Sequence, residues 1–337
     1  MTDRPVPAAD LTLAVAGRDR TDGRVAGERA GGRPSTAAEL LAAVGYAAAW
    51  RLVGAAPPRL ASGAFRLGAD LAARRRGAGP RRLRANLARM VPSASPERLD
   101  DMVRDGLRSY ARYWCELFRL PRTPSAAILR GTDGAVSGAE PLFAALDAGR
   151  GVVFALPHSG NWDAAGIWLA ETLRRRGRPA GFTTVAQRLH PESLYRRFVA
   201  HRAARGFEVV AAEDGRAAHR ALTSRLRAGG IVCLLADRDL TGTGIEVALC
   251  GEPARLPAGP ARLAALTGAL LLPAFPGFTE DGWSVRIGEP VPVIGHRAVP
   301  AATQAIADAF ATMIAAAPAD WHALQPIWTA DRPASPP

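Results

Sequence analysis

Two runs of apolar residues, 151–156 and 230–236, constrain this chain more than any other feature. Each is too short for a stable helix, is rich in large or β-branched side chains and is closed by polar residues. That is the pattern of a strand buried on both faces, and such strands occur in sheets covered by helices on either side. Around them the pattern alternates. Helices are expected at 140–148, 162–176, 191–205, 216–228, 259–267 and 301–316, with further strands at 180–185, 207–210, 270–275 and 283–287. The alternation predicts an α/β fold with a mostly parallel central sheet covered by helices on both faces.

The front of the chain reads differently. Residues 1–34 have the composition of a disordered tail, and 331–337 form a short tail at the other end. A single domain is expected over 35–330, with a helical part at 35–120 and an α/β core at 138–330. Ser35 or Thr36 can cap a helix over 35–56, striped with Leu40, Leu41, Val44, Ala48, Leu52 and Val53. A second helix at 59–76 carries Leu60, Phe65, Leu67 and Leu71 and ends in three arginines, ahead of a short basic stretch at 80–90. Ser95-Pro96-Glu97 starts a third, which runs to about residue 119. Two amphipathic helices beside an arginine cluster suit an N-terminal region lying on an anionic membrane. A helical subdomain with a solvated basic face fits equally well. No stretch of roughly 20 apolar residues without charges marks a membrane span, and no apolar h-region marks a signal peptide.

The net charge of +12 points to an anionic partner. Every basic residue is arginine. Binding to single-stranded nucleic acid calls for aromatics interleaved with the basic clusters, and Trp114, Trp162, Trp168 and Trp321 lie elsewhere, so no nucleic-acid partner is expected. Three widely spaced cysteines make neither a metal site nor a disulfide framework.

The chemistry concentrates where the two apolar runs end. The first delivers His158 into a turn, with Asp163 five residues later in the first turn of a helix. Open α/β sheets bind ligands at this edge. A histidine base needs a carboxylate to fix its tautomer and stabilise its charged form. Asp163 can reach across one turn to do this, or can simply complement the helix dipole. The second run delivers Asp237-Arg238-Asp239. If the two strands are neighbours, Asp237 or Asp239 reaches His158; otherwise both serve the turn before Thr241-Gly242. Gly259-Pro260 opens a helix whose free N–H groups, with Arg255 and Arg262 close by, suit an anion. Arg202 either binds a phosphate or covers a helix face. Ser159 lacks the setting of a nucleophile elbow, and neither a phosphate-binding Walker loop nor metal-ligand spacing is present.

These residues carry a resemblance. His158-Ser-Gly-Asn-Trp-Asp163, Phe182-Thr-Thr-Val-Ala186, Pro191-Glu-Ser-Leu-Tyr195, Gly206-Phe-Glu-Val209, Ala236-Asp-Arg-Asp-Leu240, Pro257-Ala-Gly-Pro260 and Asp320-Trp-His-Ala-Leu-Gln-Pro-Ile-Trp328 resemble the lipid A lauroyl acyltransferase family. Within it they are most similar to the actinobacterial branch that acylates phosphatidylinositol mannosides. The resemblance implies a monomeric enzyme, peripheral on the cytoplasmic face of the plasma membrane. It implies transfer of a palmitoyl-type chain from acyl-CoA, a co-substrate, to the 6-hydroxyl of a mannose, with no cofactor or metal. His158 would be the base, with Asp163 or Asp237 holding its imidazole and backbone N–H groups near Gly160 stabilising the oxyanion. Substrate binding would fall to Asn161, Arg202, Arg238, Asp239, Arg255, Gly259 and Arg262. The chain departs from the family at its long N-terminal tail and at Leu249-Cys250, where aromatics are expected and where acyl-chain or acceptor preference is put in doubt.

Overall fold

The computed structural model describes Gly45, Ala48 and residues 50–188, 192–239 and 242–331, the side chains at 193 and 194 excepted. The expected tail at 1–34, most of the helix at 35–56 and most of the tail at 331–337 therefore lie outside the described residues.

Seven strands form the central sheet in the order β1-β9-β8-β2-β5-β3-β4. They are β1 (Val136–Ser137), β2 (Val152–Leu156), β3 (Phe182–Ala186), β4 (Phe207–Ala211), β5 (Ile231–Leu235), β8 (Leu270–Phe278) and β9 (Trp283–Ile287). All neighbours run parallel except β8 and β9, which form an antiparallel pair. The fold is thus the expected α/β type. The sequence did not show the two-residue β1, nor the separate hairpin of β6 (Ile245–Leu249) and β7 (Glu252–Leu256). That hairpin turns on Cys250 and Gly251, both at positive φ (53° and 80°), as a two-residue turn matched to the strand twist requires.

Strand side chains alternate between faces, and here the alternation feeds two cores. Val153, Ala155, Val232, Leu271 and Phe275 join one cluster. Val152, Phe154, Ile231, Cys233 and Leu272 join the other. The first is covered by α8 (Gly215–Arg227), α9 (Gly259–Thr267) and α10 (Val299–Ala316), the second by α5 (Glu140–Asp147) and α6 (Trp162–Arg175). Helix α10 and the turn before it are long and apolar enough to cross a membrane, yet Val299, Ile306, Phe310 and Ile314 are buried in the first core.

The front helices are α1 (Pro58–Arg75), α2 (Ala78–Met90) and α3 (Pro96–Arg119). The stretch expected as merely basic at 80–90 is therefore helical, burying Leu83, Leu87 and Met90. Ser95 caps α3 by accepting the Arg98 N–H at 3.2 Å. This helix is not a separate unit, because Ser109 donates to Asp320 (2.9 Å) and Arg112 to the carbonyls of Thr279 and Gly282 (both 2.8 Å). Helix α1 leaves Leu60, Leu67 and Leu71 exposed and buries Ala61 and Ala69. Helices α4 (Ser125–Thr132) and α7 (Glu192–Ala203) complete the set named here.

Candidate active site

Register decides which carboxylate meets His158. Strands β2 and β5 pair Leu156 with Leu235 at their carboxyl ends, and His158 and Asp237 each lie two residues further on. The His158 Nδ1 stands 2.5 Å from Asp237 Oδ1. Asp237 Oδ2 accepts the His158 backbone N–H at 3.1 Å and the Trp321 indole N–H at 3.0 Å. Burial pushes the Asp237 carboxyl up, but His158, Arg238 and the Trp321 donor outweigh it and hold it well below the usual carboxylate range. An ionised Asp237 fixes the hydrogen on Nδ1 and leaves Nε2 as a lone pair. Burial, reinforced by Arg238 and opposed by Asp237, lowers the His158 pKa from its ordinary value. The ring is therefore a neutral base at pH 7, with an orienting carboxylate behind it.

Asp163 does not share this task. Its carboxylate receives both arms of Arg202, Nε at 2.7 Å and a terminal nitrogen at 3.0 Å, and the Tyr113 hydroxyl lies 3.4 Å away. Both charges are out of solvent, with side-chain exposures of 1% for Asp163 and 16% for Arg202. Burial opposes the Arg202 charge, but Asp163 more than offsets it and raises the guanidinium pKa. The five-residue spacing places Asp163 in the first turn of α6, where Arg202 of α7 is the partner within reach.

The other expected residues divide. Asn161 caps α6 by accepting the Ala164 N–H at 3.0 Å and donates to Glu116 at 2.7 Å. It is bound structurally and does not line the cavity described below. Asp239 accepts the N–H groups of Gly242 (3.0 Å) and Gly244 (2.8 Å), the turn chemistry weighed as its alternative, and also borders that cavity. Arg238 lines it too, donating to Gln325 at 2.7 Å while its buried Nε has no partner among the described residues. Arg262 is exposed on α9 and Arg255 half-buried on β7, neither of them lining that cavity, with Arg255 held on the Gly242 carbonyl at 2.8 Å. Gly259 does open a helix as expected, but it too lies outside the cavity lining. Cys250 is exposed at its hairpin tip, so the departure at 249–250 forms no wall of the cavity.

The turn itself is tightly set. Gly160 has φ +49°, and a Cβ there would stand 2.6 Å from the Pro276 carbonyl oxygen. Ser159 is fully buried and donates to that same carbonyl at 2.8 Å. The Gly160 N–H is spent on the Asp320 carbonyl at 2.9 Å, which removes it from the oxyanion role expected of it.

Sequence reasoning missed what holds the turn from outside. Segment 320–322 runs antiparallel to 158–160, bridging Ser159 to Trp321, with the His322 N–H on the His158 carbonyl at 2.8 Å. The dense polar and aromatic string at 320–328 was its only signal.

His158, Arg238 and His322 line a cavity of about 550 Å³, within the roughly 300–1,000 Å³ of ligand clefts. Its remaining walls are mostly apolar: Phe154, Leu156, Phe182, Trp168, Ala274 and Ile287 are among them. These side chains come from the second core face, so the cavity opens the interior of the protein to the base.

Residues 36–330 match the family of bacterial lipid A biosynthesis acyltransferases. A phosphatidylinositol mannoside acyltransferase of Mycolicibacterium smegmatis is 50% identical over 289 residues, 86% of this chain and 91% of that protein. One of Mycobacterium tuberculosis is 49% identical over 290 residues, 85% of this chain and 88% of that one.

Proposed function

Since this chain belongs to the bacterial lipid A biosynthesis acyltransferase family and is therefore an acyltransferase, we propose that it moves a palmitoyl-type chain from acyl-CoA to the 6-hydroxyl of a mannose on phosphatidylinositol mannosides. The acceptor is supported by the relatives, 49–50% identical to this chain over the matched residues. The observation that carries the chemistry is the His158–Asp237 pair lining a largely apolar cavity. An apolar cavity offers a dry channel for an acyl chain, and the pair offers the base that a sugar hydroxyl needs.

The step is a direct transfer. His158 Nε2 takes the hydroxyl proton as the oxygen attacks the thioester carbonyl carbon. The tetrahedral intermediate then collapses, the carbon–sulfur bond breaks, and the departing thiolate takes the proton from the imidazolium. Asp237 orients the ring and stabilises its charged form. The Arg238 Nε–H, buried and unpartnered among the described residues, is the donor offered to the developing oxyanion. Helix α1 would dock the enzyme on the inner leaflet of the plasma membrane. Its exposed Leu60, Leu67 and Leu71 stand among exposed Arg59, Arg66, Arg74 and Arg75, which combines apolar insertion with attraction to anionic headgroups.

The test presents the purified protein with palmitoyl-CoA and vesicles carrying phosphatidylinositol mannosides, lysophospholipid and phosphatidylinositol, and identifies products by mass. A mannoside gaining one palmitoyl group is expected. Acylation of the lysophospholipid alone would overturn the acceptor, and release of free palmitate alone would overturn the reaction.

The pH dependence has a fixed sign. Only neutral His158 can accept the proton, and its pKa lies below the ordinary 6.5. In the same assay kcat/KM should rise with pH through a midpoint below 6.5 and be flat from pH 7 to 8. A limb centred above 6.5 would count against His158 as the base.

A further inference from the structure

One buried imidazole is left unused by this mechanism. His322 is 4% exposed and lines the same cavity as His158. The Ser159–Trp321 bridge sets 158 and 322 opposite each other on antiparallel segments. Directly opposite residues project from the same face, with Cβ atoms roughly 4.5–5.5 Å apart. A molecule held against one ring is within reach of the other.

The protonation of His322 follows from its neighbours. The Ser109 hydroxyl lies 2.9 Å from Asp320 Oδ1 and 3.0 Å from His322 Nε2. The other carboxylate oxygen, Oδ2, accepts the Phe278 N–H at 2.9 Å, so both oxygens of Asp320 accept. The single hydroxyl hydrogen of Ser109 therefore goes to Asp320, and its oxygen accepts from His322 Nε2–H. Burial, with the nearby His158 and Arg238, lowers the His322 pKa to about 3, so the ring is neutral and Nδ1 carries a lone pair. That nitrogen is buried and has no partner among the described residues. A buried acceptor left unpaired costs free energy, and a hydroxyl of a bound ligand supplies what it lacks.

We propose that His322 Nδ1 accepts a hydrogen bond from a second hydroxyl of the acceptor, beside the hydroxyl that His158 deprotonates, so that the facing pair selects a polyhydroxylated sugar over a simple alcohol. This rests on the acyl transfer proposed above. An amide N–H of the acyl donor is chemically able to fill the same role, and the experiment separates the two.

Initial rates are measured for the wild type and His322→Phe with the intact mannoside and with its monodeoxy analogues. On the intact acceptor the variant should lose about 10–100-fold in kcat/KM, the usual scale for stranding a buried hydrogen-bonding group. One deoxy analogue should cost the wild type a similar factor and cost the variant nothing further. Equal penalties on every analogue, or a penalty that falls on the KM of palmitoyl-CoA, overturn the proposal. A second measurement does not depend on turnover or on the variant's folding: ¹⁵N-histidine NMR of the wild type with a soluble mannoside. His322 should be the Nε2–H tautomer, and its Nδ1 resonance should move on saturation. An Nδ1-protonated ring, or an Nδ1 resonance that stays put at saturation, overturns it. A wild type that acylates no mannoside defeats the function proposed above, while the tautomer and its response are still read independently.

Discussion

Replacing His158 by alanine lowers acyl transfer by about 10²–10⁴-fold, the share a positioned general base contributes, with thermal unfolding close to that of the wild type. The imidazole is 17% exposed and stands at a strand end, so removing it opens space beside the cavity without collapsing either core. Asp237→Asn should cost nearly as much, for a geometric reason. Asp237 Oδ2 accepts two donors, the His158 N–H and the Trp321 indole, while Oδ1 accepts the imidazole. An amide has one oxygen for three donors, so its NH₂ must face an N–H whichever way it flips. The double variant should be little slower than either single one, because residues that act as a unit are not additive. Turnover of His158→Ala at the wild-type rate, measured as single-turnover product by mass, would remove the base from the mechanism.

The second large effect is on stability. Arg202→Met strands the Asp163 carboxylate, 1% exposed, in the interior. Breaking one side of a buried pair costs about 3–5 kcal/mol, to be measured by urea unfolding. Combining Arg202→Met with Asp163→Asn should recover most of that loss, since a neutral amide tolerates burial far better than a lone charge. The same pair separates two views of Asp163. Because it touches Arg202 and not His158, whatever activity Asp163→Asn retains should keep the wild-type acid limb, whereas Asp237→Asn should move it. A shifted limb in Asp163→Asn would return Asp163 to the base's side.

Local signals carried much of this architecture, and their limits are physical. Runs of buried strand residues were legible because a strand covered on both faces leaves no room for polar side chains, so β2 and β5 stood out at once. The β6–β7 hairpin was not, because its alternating exposure is set by packing against the first core and its turn uses Cys250 where asparagine or aspartate usually signals. His158 was legible from its place at a strand end. Its partner was not, because the choice between Asp163 and Asp237 depends on which strand lies beside β2, and sequence spacing favours the nearer residue whatever the sheet order. Arg238 and Arg202 were recognised as charges near strand and helix ends, and both border the cavity. Arg255 and Arg262 belonged to the same reasoning but are not among the residues that line it. Trp321 and His322 were visible only as an unusual string, since nothing local says that residue 322 returns to face residue 158.

That return has a consequence for how the enzyme comes into being. The base is seated by a carboxylate 79 positions downstream and, through it, by an indole a further 84 positions on. During synthesis the sheet's central strands are available to pair well before segment 320–322 emerges, and until then the His158 turn lacks its clamp. Catalytic competence is therefore acquired as one of the last events of maturation. A nascent or clipped chain without that segment would lack both His322 in the cavity wall and the clamp that aligns the base, and would be poorly equipped to attack the thioesters around it before the whole protein is in place.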